Sequence, residues 1–168
     1  MDLFSASERL MAMDDAAWRR HANPWSVYTR LSCLPLIALS IYSRAVLGWW
    51  ALVPLALALG WTLLNPRVFP APARTDGWAS KGTFGERIFL NRRAVPIPER
   101  HARMAAILTS VSVAGLAVMA WGLVVLDPWA AACGVAVAIL AKLWFVDRMV
   151  WLYEDMAPRH PAYAAWPK

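Results

Sequence analysis

The sequence predicts an all-α membrane protein, a four-helix transmembrane bundle with an N-terminal amphipathic helix. Of its 168 residues, 60% are hydrophobic and 17% are charged, whereas a soluble domain has about one half and about one quarter. Three stretches contain no charge, or a single lysine, over lengths close to a membrane crossing, and a fourth, shorter one of thirteen residues lies between Arg30 and Arg44. The chain also has 11 tryptophans, and tryptophan is enriched at membrane–water interfaces.

Residues 1–25 are predicted to form an amphipathic interfacial helix. Ser5 and Glu8 have the spacing of a capping box. Apolar and small side chains then recur with a helical period until Asn23-Pro24 ends the pattern. We expect this helix to lie on the membrane surface or on the bundle, with docking to a partner as the alternative.

Residues 26–156 are predicted to be a four-span membrane domain, followed by a C-terminal tail over residues 157–168. Pro35 and Pro54 fall inside the first two predicted spans, and each removes a helical hydrogen bond, so we expect kinks there. Asp127-Pro128 is a strong helix start, from which the fourth helix can run unbroken to Met156. The predicted spans are 26–43, 47–65, 104–126 and 128–150, and the long loop is 66–103.

The charge distribution predicts the orientation of these spans. The 66–103 loop has eight lysines and arginines against three acids, whereas the two short opposite loops contain only Arg44 and Asp127. The positive-inside rule therefore places the long loop and both termini in the cytoplasm. Abundant arginine and alanine are typical of a GC-rich bacterial genome, which indicates a bacterial inner membrane.

The basic residues of the long loop favour anionic lipids as a partner. A net charge of +6 would raise the question of nucleic acid in a soluble protein. Here the positive charges flank membrane spans, so lipid head groups are the better interpretation and no nucleic-acid binding is predicted. The predicted lipid-binding residues are Arg67, Arg74, Lys81, Arg87, Arg92 and Arg93.

Lys142 is the one charge well inside a predicted span. It lies about 20 Å along the fourth helix from Trp129. Snorkelling of its ammonium group to the cytoplasmic interface is the favoured interpretation. The alternative is a pairing partner or a wet cavity, which would make Lys142 a functional residue.

Further polar residues are candidates for function near the cytoplasmic side. A solvated, salt-bridged helix end accounts best for Asp147, Arg148 and Glu154. His21 and His101 are candidates because they fall near carboxylates. No HxxxH or HExxH spacing occurs, and no histidine lies inside a span, so the sequence predicts no metal site and no cofactor.

Two short motifs resemble those of a known family. The residues around Asn23-Pro24-Trp25-Ser26, with Thr29-Arg30, are followed after the second span by Asn65-Pro66-Arg67-Val68-Phe69-Pro70, and Glu86 fits the same pattern. This arrangement is similar to an uncharacterised, domain-of-unknown-function family of small bacterial and archaeal integral membrane proteins. The resemblance implies a four-span membrane protein and no known chemistry. Each Asn-Pro pair is interpreted as a helix boundary at the membrane edge.

Three functions fit the sequence. The favoured one is a non-catalytic accessory or scaffold subunit of a membrane complex, with a protein partner or a homo-oligomer expected. A small oligomeric transporter or channel is the first alternative, since it would use Lys142. An enzyme acting on lipid head groups is the second, since histidines and arginines gather on the inner face. No motif of a soluble hydrolase or nucleotide-binding protein occurs in the sequence.

Overall fold

The structure, a computed structural model, describes residues 15–164, and these residues form helices and connecting segments with no strand. Most of the predicted N-terminal amphipathic helix lies outside the described residues. The α-helices are α1 (Asp15–His21), α2 (Pro24–Arg30), α3 (Cys33–Tyr42), α4 (Arg44–Leu47), α5 (Leu52–Val68), α6 (Trp78–Leu90), α7 (Glu99–Val125), α8 (Pro128–Met156) and α9 (Pro161–Ala164). Short 3-10 helices cover Gly48–Ala51, Asn91–Arg93 and Ala157–Arg159.

Three helical stretches among the described residues are long and apolar enough to cross a membrane. They are Pro24–Val68, Glu99–Val125 and Pro128–Arg159. The first of them reverses direction at Gly48, whose φ of 53° favours glycine. Its two limbs, α3 and α5, then pack against each other. The stretch is therefore a helical hairpin rather than one helix.

Both limbs of the hairpin are irregular where proline removes a backbone donor. α2 and α3 are separated at Leu31 and Ser32, one turn before Pro35. The 3-10 segment before α5 likewise lies one turn before Pro54. Proline cannot donate to the carbonyl four residues earlier, so the helix is interrupted there. The irregularity predicted for this half of the protein is thus present.

The two Asn-Pro pairs differ in structure. Asn23-Pro24 is a helix boundary, as predicted, because Asn23 is the N-cap of α2. Pro66 instead lies inside α5, which continues to Val68. The interpretation of Asn65-Pro66 as a helix boundary was therefore wrong.

α7 and α8 form the longest helical pair. α7 ends at Val125, and its C-cap residue Leu126 adopts a left-handed conformation with φ 58°. Asp127 then caps α8, since its Oδ1 accepts hydrogen bonds from the backbone N–H of Trp129 at 2.9 Å and of Ala130 at 3.2 Å. α8 runs for 29 residues to Met156, as the sequence predicts.

Glycines allow the backbones of α7 and α8 to approach closely. A Cβ atom on Gly134 would lie 2.2 Å from the backbone nitrogen of Met119, and one on Gly122 would lie 2.3 Å from that of Ala131. Small residues permit such contacts between membrane helices. No room for a wide pore is left between these two helices.

The predicted 66–103 loop contains a packed helix, α6, which sequence reasoning missed. Its side chains Phe84 and Ile88 are fully buried in the protein. A Cβ atom on Gly85 would lie 1.8 Å from the carbonyl oxygen of Met149, so α6 contacts the backbone of α8 directly. The main core lies where α6, the first turns of α7 and the last turns of α8 meet.

Exposed tryptophans mark two ends of the bundle. At the hairpin turn, Arg44 donates hydrogen bonds to the carbonyls of Leu123 at 2.6 Å and Val124 at 3.0 Å, which places the turn beside the end of α7. One group of exposed tryptophans lies at this end, namely Trp49, Trp50, Trp121 and Trp129. A second group lies on α2 and the later turns of α8, namely Trp25, Trp144 and Trp151.

The close α7–α8 contact gives a testable prediction. Gly134→Ala should lower the free energy of unfolding by about 1–3 kcal/mol, because the added methyl group meets backbone that cannot move aside. Gly60→Ala is the matched control, since nothing lies within 4 Å of a Cβ there and alanine favours the helix. Thermal unfolding in detergent compares the two variants. Equal effects would contradict the proposed contact.

Candidate functional site

The two motif segments meet in the structure. Asn23 Oδ1 accepts from the backbone N–H of Trp25 at 2.9 Å and so caps α2. Its Nδ2 donates to the carbonyl of Pro70 at 3.0 Å. One side chain therefore both starts α2 and holds the segment that follows α5.

Asn65 completes this connection from the other side. Ser26 Oγ donates to Asn65 Oδ1 at 3.1 Å, and Asn65 Nδ2 donates to Thr29 Oγ1 at 2.8 Å. Ser26 and Asn65 are fully buried. We call Asn23, Ser26, Thr29, Asn65 and Pro70 the motif network. Each of these hydrogen bonds lies within α2 or joins α2 to α5 and the segment that follows it. The motifs therefore hold together the two ends of the Pro24–Val68 hairpin.

Lys142 has a partner that the sequence interpretation did not favour. Its Nζ donates to Glu86 Oε1 of α6 at 2.7 Å and lies 4.7 Å from the ring centre of Phe145. Close by, Arg30 of α2 donates to Nε2 of the buried His21. We call His21, Arg30, Glu86 and Lys142 the charge cluster. Lys142 is thus paired within the protein, and simple snorkelling does not describe it.

The charge cluster contains a neutral histidine and an ionised glutamate. Burial, aided by the positive charge of Arg30, lowers the pKa of His21 from 6.5 to about 3. The neutral ring can therefore accept from Arg30. Burial alone would raise the pKa of Glu86, but the charges of Lys142 and Arg30 outweigh it and lower that pKa from 4.5 to about 2.

The cavity beside the charge cluster is small. Its volume is about 80 Å³, and its lining includes Arg30, Thr83, Glu86 and Lys142. Pockets for organic ligands are usually about 300–1,000 Å³, whereas a cavity of this size can hold a few waters. The geometry favours an internal electrostatic junction between α2, α6 and α8 over a substrate site.

A larger polar pocket lies between the start of α7 and the end of α8. Its volume is about 350 Å³. His101, which is buried, shares a hydrogen bond of 2.7 Å between Nε2 and Asp155 Oδ2, and Arg100 also donates to Asp155. We call it the α7–α8 pocket, and its lining residues are Arg100, His101, Met104, Arg148, Trp151, Glu154 and Asp155.

The predicted polar end of α8 makes contacts to other helices. Glu154 accepts from Lys81 of α6 at 2.7 Å, and Asp147 accepts from Trp78 Nε1 at 3.2 Å. Arg148 stacks on Trp151, with 4.0 Å from its guanidinium carbon to the ring centre. The salt bridges expected at this end of α8 are present, and they connect α8 to α6 and α7.

The residues predicted to bind anionic lipid are spread over several local contacts. Arg67 donates to the carbonyl of Leu63 and Arg74 pairs with Asp76. Arg92 lies over the ring of Phe89, and Arg87 lies 6.0 Å from that of Trp18. Arg93 is exposed. These positions leave the predicted lipid binding untested.

Arg44 is a structural residue that sequence reasoning missed. It was counted only as a loop charge, yet it satisfies two carbonyls at the end of α7. A cation near a helix C-terminus interacts favourably with the carbonyls there. Arg44, however, is 79 residues from Leu123 in sequence, so the sequence does not show which helix end it contacts. Among the described residues, no group of three or more histidines, cysteines and acids could hold a metal ion.

The chain belongs to a family of unknown function, DUF6653, whose profile matches residues 6–167. The resemblance to an uncharacterised family is thereby confirmed. No curated protein and no solved structure matches the chain.

The motif network predicts that Asn65 contributes to stability. Asn65→Leu keeps the branched shape of the side chain but removes the hydrogen-bond partner that Ser26 and Thr29 share, which should lower the free energy of unfolding by about 1–3 kcal/mol. Thr62→Val one turn earlier is the control, because Thr62 donates only to Ala58 of its own helix. Unfolding in detergent measures both. A loss no larger than that of the control would argue against the network.

Proposed function

We propose that the protein crosses a bacterial inner membrane four times, with the two limbs of the Pro24–Val68 hairpin as the first two spans. The two groups of exposed tryptophans support this placement, since Trp129 and Trp151 are separated by about 33 Å along α8 and the hydrocarbon core is about 30 Å thick. The excess of basic residues in 66–103 supports the cytoplasmic side for that segment, α6 included.

We further propose that the protein is a non-catalytic accessory or scaffold subunit of a membrane complex. The observation that carries this proposal is the Lys142–Glu86 pair, because it neutralises the one charge well inside a predicted span with a residue of the same chain. A transport residue has to be available to a substrate or ion. Here Lys142 instead joins α8 to α6, next to a cavity that is too small for an organic substrate.

A lipid-head-group enzyme is the second candidate. The buried His101–Asp155 pair in the α7–α8 pocket favours it, since a carboxylate-bound histidine can act as a general base. Among the described residues, the lining of that pocket includes no serine, threonine or cysteine, so such an enzyme would have to activate water. The scaffold proposal needs no chemistry from these residues and is therefore preferred.

Cysteine labelling tests the membrane placement. In a protein without native cysteines, a cysteine at position 75 should react with a membrane-impermeant maleimide only when the cytoplasmic face is accessible. A cysteine at position 46, in the hairpin turn, should react from outside intact cells. Reaction of position 75 from outside would invert the orientation.

A double-mutant cycle tests whether the Lys142–Glu86 pair is structural. Each single change, Lys142→Met and Glu86→Met, leaves one charge without its partner and should destabilise the protein by at least about 1 kcal/mol. This lower bound is set below the ~3–5 kcal/mol that breaking a fully buried ion pair costs, because 43% of the Lys142 side chain is accessible to solvent. The double variant should recover most of the loss, because two apolar side chains can replace an ion pair.

The same variants separate the scaffold from the transporter. A scaffold should keep its co-purifying membrane partner in the double variant, at matched expression, and should give no ion flux in proteoliposomes. Flux by the wild type that disappears in the refolded, stable double variant would overturn the scaffold proposal. Loss of the partner despite recovered stability would also count against it, since the pair is internal.

A further inference from the structure

The α7–α8 pocket lies at the proposed cytoplasmic edge of the membrane. Trp151, which is 53% exposed, forms part of its lining, and the exposed Trp144 lies two turns earlier on α8. Tryptophans of this kind lie at the level of lipid head groups. A pocket of about 350 Å³ is within the range of small-ligand sites. A head group is therefore the ligand most accessible to it.

Arg148 provides hydrogen-bond donors that the protein leaves largely unused. Its single hydrogen bond among the described residues is a long one, 3.4 Å from Nη2 to Asp147 Oδ2, and its Nε is buried without a partner. Stacking on Trp151 holds the guanidinium group in place. A planar, fixed guanidinium with spare donors suits a phosphate group, which it can bind through two hydrogen bonds.

The same pocket also presents negative charge. Asp155 contacts Arg100 and His101 through Oδ2, and Glu154 contacts Lys81 through Oε1. One oxygen of each carboxylate is left to accept from a further donor. A purely anionic head group would have to approach these two carboxylates, which repel it, whereas an ammonium group would be attracted.

We propose that the α7–α8 pocket binds the head group of a zwitterionic phospholipid with a primary ammonium group. Arg148, assisted by Arg100, binds the phosphate. Glu154 and the free oxygen of Asp155 accept hydrogen bonds from the ammonium group. The lipid thus fills a pocket with paired opposite charges, in contrast to the anionic lipids expected at the exposed arginines. The proposal depends on the membrane placement and not on the scaffold role.

Lipid titration by native mass spectrometry tests this site. The detergent-purified protein is titrated with phosphatidylethanolamine and with phosphatidylglycerol of identical acyl chains. Phosphatidylethanolamine should bind about tenfold more tightly than phosphatidylglycerol, because its ammonium group forms a charge-assisted hydrogen bond that phosphatidylglycerol cannot form. Equal affinities, or a preference for phosphatidylglycerol, would overturn the proposal.

Two variants examine the two halves of the pocket separately. Arg148→Gln should weaken both lipids by about tenfold, since both have the phosphate. Glu154→Gln should weaken phosphatidylethanolamine alone and so remove the preference. Arg103→Gln is the control, because Arg103 is exposed, pairs with Glu99 in the same helix and does not line the pocket. A preference that survives Glu154→Gln, in a protein with unchanged thermal stability, would refute the assigned ammonium site.

Free O-phosphoethanolamine distinguishes a lipid from a soluble ligand. It should displace bound phosphatidylethanolamine only at concentrations far above that of the lipid, because it lacks the membrane-embedded chains. Tight binding of the free compound, without binding of the lipid, would assign the pocket to a soluble zwitterion and contradict the lipid proposal. Cysteine labelling of positions 46 and 75 independently tests the membrane orientation on which this proposal depends.

Discussion

The constraint on which the structure depends is that polar groups near hydrocarbon must find partners within the protein, because lipid offers none. Several irregular points of the described chain meet it with a particular side chain. Asp127 satisfies the first N–H groups of α8, and Arg44 satisfies the last carbonyls of α7. Asn65 binds the hydroxyls of α2, and Glu86 neutralises Lys142. The first explanation for a polar residue in this protein is therefore that it satisfies the hydrogen bonds or the charge of another group. Only the polar residues that this does not explain call for a functional role.

α6 provides partners both to α8 and to the junction of α1 and α2. Glu86 reaches Lys142, Lys81 reaches Glu154, and Ser80 donates to the carbonyl of Ala22 at 2.7 Å between α1 and α2. This is possible because Gly85 brings α6 into backbone contact with α8. α6 thus connects the N-terminal helices to the α7–α8 pair. A helix that joins several others in this way is consistent with a rigid structural subunit.

Two buried side-chain nitrogens among the described residues have no hydrogen-bond partner, namely Nδ1 of His21 in the charge cluster and Nε of Arg148 in the α7–α8 pocket. In the pocket, each carboxylate also keeps one oxygen that can still accept a hydrogen bond, and Arg148 makes one long hydrogen bond. Unused donors and acceptors of both signs within one pocket are costly unless something else binds them. The space available also distinguishes the proposed binding site from the charge cluster, because the pocket has a volume of about 350 Å³ and the cavity beside the cluster only about 80 Å³.

The sequence by itself determined the all-α class, the α8 helix from its Asp127 cap to Met156, the proline interruptions of the first hairpin and the membership of an uncharacterised family. These follow from local patterns, because caps, prolines and apolar runs act within a few residues. Only the tertiary structure decided that residues 78–90 form a buried helix, that Asn65-Pro66 stays helical and that Lys142 pairs with Glu86. The pair is separated by 56 residues, and Phe84 and Ile88 look the same in sequence whether they face lipid or a core. Such contacts depend on how helices meet, and no local periodicity encodes that.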